Sequence, residues 1–214
     1  MKFTVKRRLA LLCTLFLAAA TFADTIAFKA DTMTGNAGEN RRSTTLSGNA
    51  WVQTEDMEIT ADSIELSGKD YETVLASGSV SGTNASSGFS FVCSSLAYNR
   101  KTGIVKLQGN VLMTDEENDV QAEARFMEYN QNTETALMQI GVTLTQKIAV
   151  CTCALALYRK KDQILEMSGS PQIVRGKDTF KAQEITFNLT TEEIVLDGRV
   201  RGTVQDSPEG ASNE

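Results

Sequence analysis

The chain has 214 residues, of which 41% are hydrophobic, with 4 cysteines and no histidine. That length suits one sizeable domain or two small ones. Without histidine the commonest general base and metal ligand is missing. The balance of 27 acidic against 21 basic residues argues against a nucleic-acid partner and against polybasic docking on anionic lipid.

The first segment is set apart from the rest. Lys2, Lys6, Arg7 and Arg8 precede an uncharged run from Leu9 to Ala23, and Thr21 and Ala23 form a cleavage-type site before Asp24. The run is shorter than the roughly 20 residues of a spanning helix, so residues 1–23 read as a cleavable secretory signal peptide. Its removal takes 4 of the 21 basic residues and leaves 17 against 27 acidic, a net charge of −10. Three cysteines remain, Cys93, Cys151 and Cys153. An odd number in an exported chain leaves at least one unpaired within the molecule. The pair in "CTC" reads as two buried thiols on a strand rather than half of a metal site.

From residue 24 to residue 204 one pattern recurs. In "DMEITADSIEL" the apolar residues Met57, Ile59 and Ala61 alternate as in a half-buried strand, then slip by one residue to Ile64 and Leu66. The same slip is found in "IAFKADTMTG", "FSFVCSSLAY", "VQAEARFMEY", "AVCTCALALY" and "FKAQEITF". Each copy is followed by a polar turn, such as "NRKTG" or "NLTTEE", and by a second strand containing a glycine. These glycines lie at 48, 78, 109, 141, 169 and 198, spaced by 30, 31, 32, 28 and 29 residues. In the fourth copy, "ALMQIGVTL", the apolar set Met138, Ile140, Val142 and Leu144 is displaced by one residue relative to Gly141. A bulge or register change is expected there.

A unit of two short strands cannot bury its apolar side alone, so copies must stack. A parity break in mid-strand lets a chain turn a corner between two packed sheets while both halves still face one interior. The small residues Ala30, Ala61, Cys93, Ala124, Cys153 and Ala182 precede the breaks, as a tight corner requires. Helical periodicity is nearly absent. The expected fold is all-β: a twisted β-jellyroll of about six stacked two-strand repeats, open at both ends. The tail at 205–214, "QDSPEGASNE", reads as a disordered acidic terminus.

The motif of strand, Gly-Asn-Ala/Val, turn, strand and Ala-Asp-x-apolar, seen in "TLSGNAWVQTEDMEITADSIEL", resembles the OstA-like repeats of the LptA family of periplasmic lipopolysaccharide-transport proteins. The resemblance covers about residues 26 to 202. It implies a twisted jellyroll, a periplasmic location and a non-enzymatic lipid conduit. Lipopolysaccharide or a similar glycolipid would bind in the groove between two sheets. It also implies partner transport components of the same fold at the inner and outer membranes, and head-to-tail self-association. Ile26, Phe28, Met57, Ile59, Phe89, Phe91, Leu96 and Tyr98 match positions where the family contacts lipid. No cofactor, metal or catalytic residue is implied.

Other classes fit the residues less well. A structural β-repeat filament or scaffold would need no cargo; the thinning of inward residues to Ala149, Cys151, Cys153 and Ala156 favours space inside. An LptC-like membrane-anchored component differs by retaining residues 1–23. An outer-membrane barrel is disfavoured by strands whose alternation breaks midway. The cysteines are a departure from the family pattern, and a Cys93 bridge to Cys151 or Cys153 stays open. "TIAFKAD" at one end and "EIVLDGRVRGTV" at the other would be the pairing edges of a filament.

Overall fold

The computed structural model describes residues 25–36 and 43–205. The signal-peptide segment and residues 206–214 of the tail lie outside them. Period-2 alternation produces strands throughout: β1 Ala27–Lys29, β2 Thr32–Asn36, β3 Ser43–Gln53, β4 Met57–Ser67, β5 Thr73–Asn84, β6 Phe89–Asn99, β7 Ile104–Asp115 and β8 Val120–Asn130. β9 Thr135–Gln146, β10 Ala149–Arg159, β11 Ile164–Ser168, β12 Gln172–Arg175, β13 Asp178–Lys181, β14 Glu184–Asn188, β15 Ile194–Asp197 and β16 Arg201–Thr203 complete the set. All 16 belong to one antiparallel sheet, and its path from β1 to β15 is linear and does not close. Asparagines make the turns. The Oδ1 atoms of Asn84, Asn99, Asn130 and Asn188 each accept a backbone N–H two or three residues on, the Asx arrangement that reverses a chain cheaply.

Strands β3 to β10 are unbroken, 11 or 12 residues each, and each bends in the middle. Across β3 and β4 the register jumps between Ser47 and Ala50, so that Gly48 and Asn49 face Asp62 alone. The next hairpins repeat this, with Gly78–Ser79 against Ser94 and Gly109–Asn110 against Arg125. Both residues of each pair have positive φ. Two consecutive left-handed residues turn the strand sharply, and the matching slip on its neighbour keeps the apolar parity facing inward. Small residues sit inside the bend as expected: Ala61, Cys93, Ala124 and Cys153 are buried. At the chain ends the corner drops out of the strand. β1 and β2 both pair with β3, and β11 and β12 both pair with β10. The eight unbroken strands and four split ones (β1 with β2, β11 with β12, β13 with β14, β15 with β16) thus stack as six pairs.

Each bent strand contributes one half to each of two half-sheets. The first holds β1, β12, β13, β16 and segments such as Ala50–Gln53 and Phe89–Val92; the second holds β2, β11, β14, β15 and segments such as Ser43–Ser47 and Ser95–Asn99. They join along the corner, and the turns of the two form opposing lips along the other side. This is the twisted, open-ended jellyroll expected from the repeats.

The bulge expected in the fourth copy is present, between Gln139 and Val142, as it is in the other copies. The apolar set of this copy is in frame with the others, since Gln139 and Val142 flank the corner as Gln108 and Val111 do. What is displaced is the glycine. The left-handed pair is Ile140–Gly141, both at φ 67°, and Ile140 points outward, 61% exposed. A β-branched residue there is strained. Replacing Ile140 by Gly is expected to raise stability by about 1 kcal/mol, because the strain relieved exceeds the added chain entropy. At Gly169, φ 74°, a Cβ would lie 2.6 Å from Ala154 Cβ, so Gly169→Ala is expected to cost about 2 kcal/mol. Urea unfolding of the two variants checks both signs.

Candidate functional site

The register places the inward residues in rows that cross every strand. One row on the first half-sheet runs Phe28, Val52, Ile59, Gly82, Phe91, Met113, Ala122, Leu144, Cys151, Ile173 and Phe180. Three of the expected lipid contacts, Phe28, Ile59 and Phe91, share it. Gly82 supplies a gap in the row, because a Cβ there would meet Phe91 Cζ at 2.6 Å. On the second half-sheet Leu96 lies in a row from Met33 to Leu196, and Tyr98 in a row that also holds Leu66, Tyr129, Tyr158 and Phe187. An apolar interior therefore reaches both open ends of the stack.

Met57, Ile59, Phe89, Phe91, Leu96 and Tyr98 are all buried in one continuous core. Ile26 is partly buried against that core, whereas Phe28 is 47% exposed, on an edge strand paired on one side only. The thinned positions Ala149, Cys151, Cys153 and Ala156 are buried too. The three thiols are free. Burial pushes Cys93 and Cys153 up to about 11 and Cys151 up to about 12, so they are inert small hydrophobes at neutral pH.

The row nearest the first lip is different. It runs Met57, Asn84, Phe89, Asp115, Val120, Gln146, Ala149 and Arg175, alternating apolar and polar. Sequence reasoning passed over its polar members. Asp115 is 0% exposed; its Oδ1 lies 2.9 Å from Lys160 Nζ, and its Oδ2 accepts from Tyr158 Oη at 3.2 Å and Asn118 Nδ2 at 2.8 Å. Gln163 Nε2 donates to Tyr158 Oη at 2.9 Å, and Glu117 takes a second contact from Lys160 at 3.0 Å. The Lys160 ammonium sits 5.0 Å from the Phe89 ring centre, and Phe89 packs edge-on against Tyr129 at 4.8 Å. Asp115 ends β7 on the first lip, while Tyr158 lies near the end of β10 and Lys160 just after it on the second, three strands along. These contacts cross the mouth. Burial lowers the Lys160 pKa, but its hydrogen bonds to Asp115 and Glu117 outweigh this and hold it above the ordinary range. Tyr158 is raised, first by burial and then by the Asp115 charge.

The family model for the LptA/LptD N-terminal-domain LPS transport proteins matches residues 27–154. The chain belongs to that family. The match spans the corners of the first four copies and all eight expected lipid-contact positions except Ile26. No curated protein matches the chain. Among solved structures it is similar to LptH, described as the LptA homologous periplasmic component of the lipopolysaccharide transport device from Pseudomonas aeruginosa. The identity is 9%, with 85% of this chain and 96% of LptH covered, and the TM-score is 0.26.

The buried acids predict alkaline lability. Between about pH 9 and pH 11 the unfolded chain releases thiol protons that the native thiols keep, so it binds fewer protons and stability falls as pH rises. Tyr129 and Tyr158, also raised, act in the same sense. Melting temperatures from pH 7 to pH 11 should fall continuously above pH 9. At pH 8, Cys93, Cys151 and Cys153 should resist a thiol reagent until denaturant is added.

Proposed function

We propose that this protein is a non-enzymatic periplasmic carrier that moves lipopolysaccharide or a related glycolipid from the inner to the outer membrane, holding its acyl chains between the two half-sheets. The observation that carries the reading is the apolar row that runs unbroken from Met33 at one open end of the stack to Leu196 at the other. A structure that needed only a core would not need such rows to continue to exposed apolar residues at its edge. Here Phe28 and Met33 remain exposed at the β1–β2 end. Membership in a family of LPS transport proteins supports the same reading.

The two ends also support end-to-end assembly. β1 and β2 are exposed along their whole length, as is β16, and an unpaired antiparallel edge templates the addition of another strand. Pairing the β15–β16 edge of one copy with the β1–β2 edge of the next would continue each inner row across the joint. The same edges would accept transport components of like fold at either membrane. Ile26 and Phe28 at the edge, with Met57, Ile59, Phe89, Phe91, Leu96 and Tyr98 inside, form the proposed path of the acyl chains.

A second reading, a scaffold of the cell envelope without cargo, draws on the burial of the six interior residues, which fill the space a lipid would use. The two readings differ in what the interior touches in the cell. A photo-cross-linking phenylalanine derivative placed at Phe28 and, separately, at Phe91 is expected to capture an acylated glycolipid in the bacterial envelope. The same group at the outward-facing Ser90 should not. Cross-linking at Phe28 to another protein, with no lipid at either site, would favour the scaffold.

A further inference from the structure

The mouth between the lips is where the half-sheets would have to part to admit an acyl chain from the side, and this chain ties it with directional polar bonds. Lys160 and Tyr158 on one lip hold Asp115 on the other at 2.9 and 3.2 Å, and Lys160 also reaches Glu117 at 3.0 Å. Further along, Gln146 Nε2 on the first lip donates to the Leu189 carbonyl on the second at 3.3 Å. Beyond that, Glu192 on the second lip pairs with Lys147 at 3.6 Å and with Arg175, both from the first. The ties at Asp115 and Gln146 join residues 43 to 45 positions apart, the same three-strand step each time.

We propose that the Asp115–Lys160–Tyr158 cluster is a lateral gate whose opening limits the entry of acyl chains into the interior; the proposal rests on the lipid-carrier reading above. The choice of chemistry carries the argument. A seam meant only to hold would gain most from apolar residues, since a buried ion pair costs about as much in desolvation as its attraction returns. In the closed mouth Asp115 is fully buried and Lys160 is 8% exposed on its side chain. When the lips part, both ions regain water. Opening therefore costs far less than exposing an equal apolar area, yet the half-open mouth, with one ion bared and the other still buried, is penalised. The result is two discrete states, shut and open, rather than a seam that gapes by degrees. The cluster also touches the proposed path directly, through Lys160 over the Phe89 ring and the Phe89–Tyr129 contact.

The test replaces both charges together, Asp115→Asn with Lys160→Met, so that no lone buried charge is left to unfold the chain. Glu128→Gln, which removes the exposed Lys106–Glu128 pair, serves as control. The probe is the fluorescent fatty acid cis-parinaric acid, added in stopped flow. Without the two charges the half-open mouth is no longer penalised, so the double variant is expected to fill about tenfold faster than the unaltered protein, and amides at Asp115–Asn118 and Lys160–Gln163 to exchange about tenfold faster without lipid. The control should match the unaltered protein in both. Uptake and exchange unchanged in a folded double variant would overturn the gate and leave the carrier reading standing. Failure of every form to take up the probe would overturn the carrier reading and the gate with it.

Discussion

The whole architecture depends on a matched pair of backbone irregularities. Two left-handed residues on one strand, such as Gly109–Asn110, face a single residue on the next, Arg125. Either irregularity alone would turn half of a strand inside out, because a one-residue slip moves every later side chain to the other face. Together they bend the sheet and conserve its parity. Repeating the pair in each unit sets the corners in line, and a single sheet becomes two facing walls. The rows, the mouth and the open ends all follow from that alignment.

The interior so made is not uniform. Near the corner it is apolar and ordinary: Leu, Met, Val and Ala meeting across a gap, with Cys93, Cys151 and Cys153 as fillers. Toward the mouth it becomes polar in alternation, and the polar members find partners on the facing lip. Twist explains which partners. Strands in a sheet rotate by about 20–25° from one to the next, so facing walls cross rather than run parallel. A residue at one lip therefore meets the lip three strands on, as Asp115 meets Tyr158 and Gln146 meets Leu189.

Much of this was legible in the residues. The slip at Asp62–Ser63 and its five echoes mark the corner in the sequence itself, because parity and small side chains are local signals. The first four corners also fall within the region matched by the family. Two things were not legible. Spacing makes Gly141 the counterpart of Gly109, whereas Ile140 fills that place; glycine is so much the commoner left-handed residue that it masks its neighbour. Asp115 is buried, whereas Glu116 and Glu117 beside it are exposed. The signal for Asp115 was present, since it continues the inward alternation of Val111 and Met113, as Lys160 continues that of Ala156 and Tyr158. Charge argues for exposure at both positions, and the pairing that allows their burial is non-local by more than forty residues.

Stacked repeats ordinarily behave as a one-dimensional array in which each unit couples to its neighbours alone, so that the ends melt before the middle. The three-strand step across the mouth changes that order. A tie from β7 to β10 spans more than a full repeat, and the next spans from β9 to the segment after β14, overlapping it. The units from Asp115 to Glu192 are thereby latched in a braid, and none of them can fray without releasing a contact that belongs to another. Cooperativity in this half of the molecule is a property of the weave rather than of any unit.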